Sequence, residues 1–427
     1  MNVAFLVVKR WFVNVIPTHP NLESTFIRFG VLPKVQPEAR GAVVGVIKFS
    51  DFVGLSDQKS LRSLLLIQFF IVSFSLPGFA ATLPKDKVET SYHYYDGGGV
   101  EVTGPALFVR KSVADNVSLS GSYYVDEVSS ASIDVQTYAS PYEEDRTEYS
   151  LSADYIDQDA KLSISYVNSD ESDYQSDTFH FDYVEEYFGG LTTTSIGYSS
   201  GSDDVLSNTS DFSDTAKHDF YRLGFSQVVL PELVLRANYE HISDKGFLGS
   251  PYRKSVINGV LFDENLPRTR RSNALSIGGD YFIETWSTAI KAQYRYFSDT
   301  WDVKADDFRV SVTKSLKTHW IIEGWVRYYG QSSASFYQDQ FSSVLTYRSR
   351  DKELSDFDSV SMGLGVEYLF QDTKWFKAPS LAFGSEWVRY QYNDFYEYLN
   401  GDFNQNNNKQ LYEFDATIAY VSFSTTF

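Results

Sequence analysis

Cysteine is absent from the 427 residues, methionine occurs twice and histidine six times. Without cysteine there are no disulfides, thiolate metal sites or thiol nucleophiles, and the redox compartment is left open. Positive charge is also in deficit, with 37 Lys+Arg against 56 Asp+Glu and a formal net charge of −19. That balance excludes nucleic acid as a partner, because phosphate contacts need clustered Lys and Arg. What the chain has in excess is aromatic residues, 17% of the total, with 31 Tyr and 33 Phe. Disordered chains lack such residues, so disorder is excluded too. Length alone suggests about two or three domains of ~150 residues, a prior that barrels override.

Every Tyr lies at or after Tyr92, so residues 1–80 differ in kind from the rest. Lys59 and Arg62 precede the apolar run Leu64-Leu65-Leu66-Ile67-Gln68-Phe69-Phe70-Ile71-Val72, and Gly78-Phe79-Ala80 follows before Ala81. A basic start, a short apolar centre and a small-residue end form a secretory signal peptide over 56–80, with cleavage between Ala80 and Ala81. The run falls short of the ~20 residues of a comfortable membrane-crossing helix; an N-terminal anchor helix is the alternative. Residues 1–55 then stand upstream of a signal, which points to a translation start set too early. Peptides from this stretch in a mass spectrum of the purified protein would refute that. Residues 81–427 form the mature domain, whose 29 Lys+Arg and 52 Asp+Glu give a net charge of −23.

From about Lys87 onward the dominant period is two, the mark of strands with unlike faces. Tyr149, Leu151, Ala153 and Tyr155 alternate with Glu148, Ser150, Ser152 and Asp154. Phe179, Phe181 and Tyr183 alternate with His180 and Asp182, and Ile290, Ala292, Tyr294 and Tyr296 with Lys291, Gln293 and Arg295. A soluble antiparallel sheet shows the same alternation. Connection length separates the two cases, because bacterial barrels join ~9–11-residue strands by short periplasmic turns and long outer loops. Short connections are expected at 114–116, 157–160, 185–190, 229–232, 283–286 and 316–319, with a looser one at 371–379. Longer polar ones are expected between them, at 126–146, 168–177, 199–217, 243–270, 298–303 and 331–356, and then at 394–409. The pattern predicts an all-β transmembrane antiparallel up-and-down barrel of about sixteen strands with both termini periplasmic. Fourteen is the alternative count, since the runs around Gly97-Gly98-Gly99 are the weakest.

The last run places Ala419, Val421, Phe423, Thr425 and Phe427 on one parity and ends the chain on Phe. After a signal peptide and a barrel pattern, Val421, Phe423 and Phe427 read as the signal for the barrel-assembly machinery. Tyr and Trp favour the boundary between hydrocarbon and water, and barrels place them in two girdles. Tyr155, Tyr166, Tyr239, Tyr296, Trp320, Tyr328, Tyr368 and Trp387 are the girdle candidates.

Several runs then look familiar, among them His93-Tyr94-Tyr95-Asp96-Gly97, Gly104-Pro105-Ala106-Leu107, Ser129-Ser130-Ala131-Ser132, Gly246-Phe247-Leu248 and Pro251-Tyr252-Arg253. Pro267-Arg268-Thr269-Arg270, Tyr294-Arg295-Tyr296-Phe297-Ser298-Asp299-Thr300-Trp301 and Arg350-Asp351-Lys352-Glu353-Leu354-Ser355 complete the set. Over roughly residues 87–427 the chain resembles an uncharacterised bacterial family catalogued as domain of unknown function 3570. Its members look like outer-membrane β-barrels of Gram-negative bacteria. The resemblance implies fold and location, and supplies no substrate or catalytic residue.

Sixteen strands leave room for an aqueous lumen, where eight would fill with side chains. On the parity above, Arg222, Arg236, Glu240, Lys291, Arg295, Arg309, Glu323, Arg327 and Glu367 point inward as lumen-lining residues. Lys or Arg on the lipid face would cost ~2–4 kcal/mol each at the midplane. These residues line a conducting pore or form a salt-bridged network around a plugged interior. The expected function is a porin-like channel or transporter for small solutes, with a closed, partner-binding barrel using long acidic loops as the alternative. The acidic stretches Ser169-Asp170-Glu171-Ser172-Asp173 and Gly201-Ser202-Asp203-Asp204 read as solvated loops, since their spacing fits no calcium loop.

Enzymatic motifs are sparse. Gly197-Tyr198-Ser199-Ser200-Gly201 spells G-x-S-x-G, but a nucleophile elbow needs a strand entering a helix, which is not expected here. His180 points inward, opposite to the outward Ser–His arrangement of outer-membrane lipases. No H-E-x-x-H or P-loop is present. No catalytic residue, metal or cofactor is therefore assigned. The expected partners are outer-membrane lipid and lipopolysaccharide, the barrel-assembly machinery and a periplasmic or surface protein.

Overall fold

A computed structural model describes residues 83–130, 142–398, 403 and 409–427. The extension at 1–55, the signal at 56–80 and the cleavage site at Ala80 and Ala81 lie outside the described residues. Period-two alternation becomes strand: β1 Lys87–Gly97, β2 Val100–Ala114, β3 Val117–Ser130, β4 Tyr142–Asp157, β5 Ala160–Asp170, β6 Tyr174–Tyr187, β7 Thr192–Leu206, β8 Ser213–Leu230 and β9 Leu233–Gly246. There follow β10 Lys254–Ile257, β11 Val260–Asp263, β12 Thr269–Ile283, β13 Thr288–Asp299, β14 Lys304–Leu316, β15 Trp320–Gln331, β16 Phe357–Leu369, β17 Lys377–Tyr398 and β18 Lys409–Thr426. Among the described residues no helix is long and apolar enough to cross a membrane.

Sixteen strands close into one antiparallel barrel in the order β1-β18-β17-β16-β15-β14-β13-β12-β9-β8-β7-β6-β5-β4-β3-β2, while β10 and β11 pair only with each other. Closure leaves the barrel no unpaired sheet edge, so each of its sixteen strands is paired on both sides within the chain. The seam joins first and last strands from Lys87↔Thr426 to Gly97↔Ala416, which puts the start of β1 and the end of β18 at the same rim. Sixteen, not fourteen, is the count because Gly97↔Val100 closes β1 on β2 through Gly98 and Gly99. Both carry positive φ, +58° and +78°, as a two-residue hairpin turn of the favoured twist requires.

The two faces differ as the alternation demands. Leu151 is 63% exposed on the outside, while its neighbours Ser150 and Ser152 on the inside are 3% and 8% exposed. Leu107, Tyr123, Ile164, Phe179, Leu223, Ile277, Val326 and Met362 continue the apolar exterior around the barrel.

Several polar connections are shorter than their composition suggests. The expected loop at 168–177 shrinks to 171–173, because β5 runs to Asp170 and β6 starts at Tyr174. Gly201-Ser202-Asp203-Asp204 lies within β7, paired with β6 from Thr178↔Gly201 to Gln175↔Asp204, and is not a solvated loop. A strand satisfies its backbone in the ladder whatever its side chains, so polar composition alone marks loops poorly. Among the described residues two connections at the rim opposite the start of β1 are long, 247–268 and 332–356.

Candidate functional site

Strand parity sets which side chains enter the barrel. Tyr221, Leu223 and Phe225 are exposed outside, so Arg222 between them turns inward. The same geometry carries Arg236 and Glu240 inward between outward Leu235 and Tyr239, and Lys291 and Arg295 beside outward Tyr294 and Tyr296. Arg309, Glu323, Arg327 and Glu367 alternate with outward Phe308, Val326, Tyr328 and Tyr368 on their strands.

These nine residues divide by pairing. Arg222 Nη2 donates to Asp182 at 2.6 Å, Arg295 to Glu240 at 2.6 Å and Arg327 to Asp307 at 2.7 Å, and Arg236 pairs with Asp280. Each pair joins neighbouring or next-neighbouring strands, so these ions brace the wall. Among the described residues Lys291, Arg309, Glu323 and Glu367 make no salt bridge, and the Arg309 guanidinium sits 5.5 Å from the centre of the Trp325 ring. Lys291 and Arg309 are exposed although they lie inside, which places water against this part of the wall. The opposite wall carries small hydroxyls, including Ser118, Ser120, Ser152, Ser163, Ser165 and Ser199.

A buried charged network spans the inner wall from β1 to β5. The His93 ring contacts Asp126 at 2.7 Å and the Tyr124 hydroxyl at 3.0 Å, and Arg146 reaches Asp126, Glu148, Glu171 and Ser169. Each buried charge has an opposite partner, the arrangement that burial demands. On β8, His218 places one ring nitrogen 2.8 Å from Asp203 and the other 2.8 Å from Asp244. His180 contacts Ser199 Oγ at 2.6 Å as its cross-strand neighbour. Both are buried, and Gly197-Tyr198-Ser199-Ser200-Gly201 runs straight through β7 without the turn a nucleophile elbow needs.

Connections at the mouth opposite the start of β1 reach across it. Trp301, Ala334, Phe336, Tyr337 and Leu354 pack against inward Val102, Val128, Val388, Tyr390, Tyr392, Tyr412 and Ile418, so connections leaving one side of the barrel reach strands on the other. Segments 247–268 and 332–356 also bind each other through backbone. Asn258 N donates to Phe341 O at 3.0 Å, Phe341 N to Val256 O at 2.8 Å, and Asn265 and Arg348 exchange bonds of 3.1 and 2.9 Å.

Charged side chains fix that interlock. Arg253 pairs with Asp351, and Arg350 pairs with Asp339 at 3.1 Å while donating to Tyr396 O at 2.6 Å. Glu264 accepts from Ser349 Oγ at 2.9 Å and Arg350 N at 2.6 Å. Burial pushes its carboxyl up to about 8, against the pull of Arg253. Tyr252 donates its hydroxyl to Asp173 at 2.5 Å and accepts from Asn208 N at 2.7 Å, tying the same segment to the β5–β6 and β7–β8 connections. Sequence reasoning singled out Pro251-Tyr252-Arg253 and the run beginning at Arg350 only as familiar motifs and gave them no role. Their signal was charge and aromaticity inside long polar connections.

Of the residues that the sequence marks as an expected assembly signal, Val421 and Phe423 sit on the seam opposite Tyr92 and Thr90, and Phe427 N donates to Asp86 O at 3.3 Å. The Lys111 ammonium lies 4.8 Å over the Phe427 ring and 2.5 Å from Asp86. That hydrogen bond, with a second from Ser112 N, holds the Asp86 carboxyl down at about 2.

Residues 207–407 match the model of a family described as "Protein of unknown function (DUF3570)", the family that the sequence motifs resemble. No curated protein matches the chain. Solved structures of similar fold include the siderophore receptor PirA from Pseudomonas aeruginosa, at 8% identity and a TM-score of 0.41 over 81% of each chain. A bacterial polysaccharide outer membrane secretin matches at 8% identity and a TM-score of 0.44, over 81% of this chain and 100% of that one. OmpT of Vibrio cholerae, in its trimer form, matches at 13% identity and a TM-score of 0.42, over 80% and 100%.

Proposed function

We propose that the protein resides in the bacterial outer membrane and passes small solutes through its lumen. The observation that carries this reading is the reversal of polarity across one wall. Leucine, isoleucine, phenylalanine and tyrosine cover the outside, while the water-exposed Lys291 and Arg309 stand inside the same strands. An apolar exterior is what acyl chains accept, and a polar interior is what a hydrated solute needs. On this reading the interlocked segments 247–268 and 332–356 narrow the outer mouth, and the short turns and both termini face the periplasm. No catalytic role is assigned.

The buried Arg350 and the aromatic cluster around it favour a second reading, a barrel closed at its mouth that serves a surface or periplasmic partner. Purified protein in planar bilayers decides between them. Discrete conductance steps and swelling of protein-loaded liposomes support the channel. A silent bilayer at high protein load, with a protein partner co-purifying, supports the closed barrel.

A further inference from the structure

Two aromatic rings are laid flat on the inner wall by glycines. Trp325 on β15 faces Gly363 across the ladder, and Gly384 on β17 faces both Gly365 and Tyr420. A Cβ at Gly363 would fall 2.1 Å from the Trp325 ring, and one at Gly384 would fall 2.3 Å from the Tyr420 ring. Each ring therefore occupies the space that a side chain on the next strand would fill. The two rings cover adjacent strands, β16 and β17, whose spacing is ~4.8 Å. Tyr420 shares its parity with Ile418 and Tyr412 of the interior cluster, yet it is 41% exposed, so its ring borders lumen water and not the plug.

The polar groups beside these rings are the ones the wall leaves unpaired. Glu323, Glu367 and Arg309 are within electrostatic reach of Tyr420, and Arg309 and Glu323 within reach of Lys291. These two cations and two anions cancel as charge, and Glu386, across the ladder from Gly363, has Arg327 within electrostatic reach, so the groups remain as separate donors and acceptors without a strong field of one sign. An ion gains little there. A neutral ligand with an apolar face and a rim of hydroxyls uses everything present: its C–H face packs on the rings, and its hydroxyls bond to carboxylate, ammonium and guanidinium. Pyranose sugars have that construction.

We infer that Trp325 and Tyr420, with Arg309, Glu323, Glu367 and Lys291, form a binding track for neutral oligosaccharides on the lumen wall. The inference rests on the channel reading for its physiological sense, but binding is measurable without conduction.

The test uses the full mature barrel and maltohexaose as probe. Equilibrium dialysis in detergent measures binding, and planar bilayers measure block of the ion current by the same sugar. Saturable binding that Trp325→Ala and Tyr420→Ala each weaken about tenfold is the expected result. Tyr420→Phe keeps the ring and preserves most of the affinity, which holds the test open if the alanine variants fail to fold. No saturable binding to the wild type would overturn the inference. So would unchanged affinity in variants that lose only thermal stability, since rings can cover sheet glycines for structural reasons alone. Binding in dialysis with a silent bilayer keeps this inference and defeats the channel; ion conductance without binding or block does the reverse.

Discussion

The Arg350 guanidinium lies 4.4 Å from the centre of the Phe395 ring, fully buried, with Asp339 as its ion partner. Arg350 belongs to a rim connection and Phe395 to β17, so this contact pins segment 332–356 to the inner wall. Removing one member of a buried pair costs up to about 3–5 kcal/mol, and Asp339 would keep Lys409 at 4.0 Å and the Tyr398 hydroxyl. Arg350→Ala is therefore expected to free the segment without opening the barrel, since the sixteen-strand ladder does not pass through it. Limited proteolysis should cut within 332–356 in the variant alone, while heat-modifiable migration of the barrel stays unchanged. On the channel reading, single-channel conductance rises.

Glu264 gives the same interlock a pH dependence. Its folded value of about 8 exceeds the ~4.3 of an unfolded carboxyl. Between those values the packed segment keeps a proton that the released segment has lost, so the packed state weakens as pH rises. The interlock is firmest below ~4.3, loosens progressively toward about 8 and loses nothing further above it. Proteolytic sensitivity of 247–268 and 332–356 should climb through that window in the wild type. It should be much shallower in Glu264→Gln, which keeps the acceptor oxygen without that titration and leaves only Asp394, bonded to Asp356 N, to respond.

The seam predicts an assembly phenotype. Phe427 is held by backbone to Asp86 and lies beneath the Lys111 ammonium, at the rim where β18 meets β1. Deleting Phe427 removes that anchor and the terminal aromatic together. The fraction of heat-modifiable barrel in the membrane should fall several-fold, whereas Lys111→Ala, which loses the exposed ion pair and the ring contact but keeps the backbone anchor, should change it little.

How much of this was legible in the sequence follows from what each interaction depends on. Strand parity is local, so Leu151 outward and Arg222 inward could be read from neighbours on the chain. The Arg222–Asp182 pair could not, because it joins residues 40 apart through the ladder. Polar composition marked 168–177 and 199–217 as loops, yet β5, β6, β7 and β8 run through most of both. The ladder and pairs such as His218–Asp203 hold those strand ends, and neither leaves a periodic trace. The mouth was hidden for the same reason: Arg350, Glu264 and Arg253 meet only after two connections nearly 100 residues apart fold across one opening. The glycine-laid rings were equally silent, since a lone Gly363 in a strand signals a close approach without saying by what.

The exterior supplies the most discriminating measurement. Leu151 stands between Tyr149 and Tyr155 on β4, all three exposed. If that face meets water, Leu151→Arg is a surface substitution, and such changes stay within about 0.5 kcal/mol. If it meets acyl chains near the midplane, the same change costs ~2–4 kcal/mol. The two media thus differ by more than the error of a denaturant titration, and the residue touches no loop, ion pair or lumen group that would confuse the result. Reversible urea unfolding in lipid vesicles, wild type against Leu151→Arg, should show a loss in the upper range. Lys291→Arg, facing inward and exposed there, should show almost none. A penalty below ~0.5 kcal/mol for Leu151→Arg would mean that the apolar face is not in contact with lipid, and the membrane reading would fall with it.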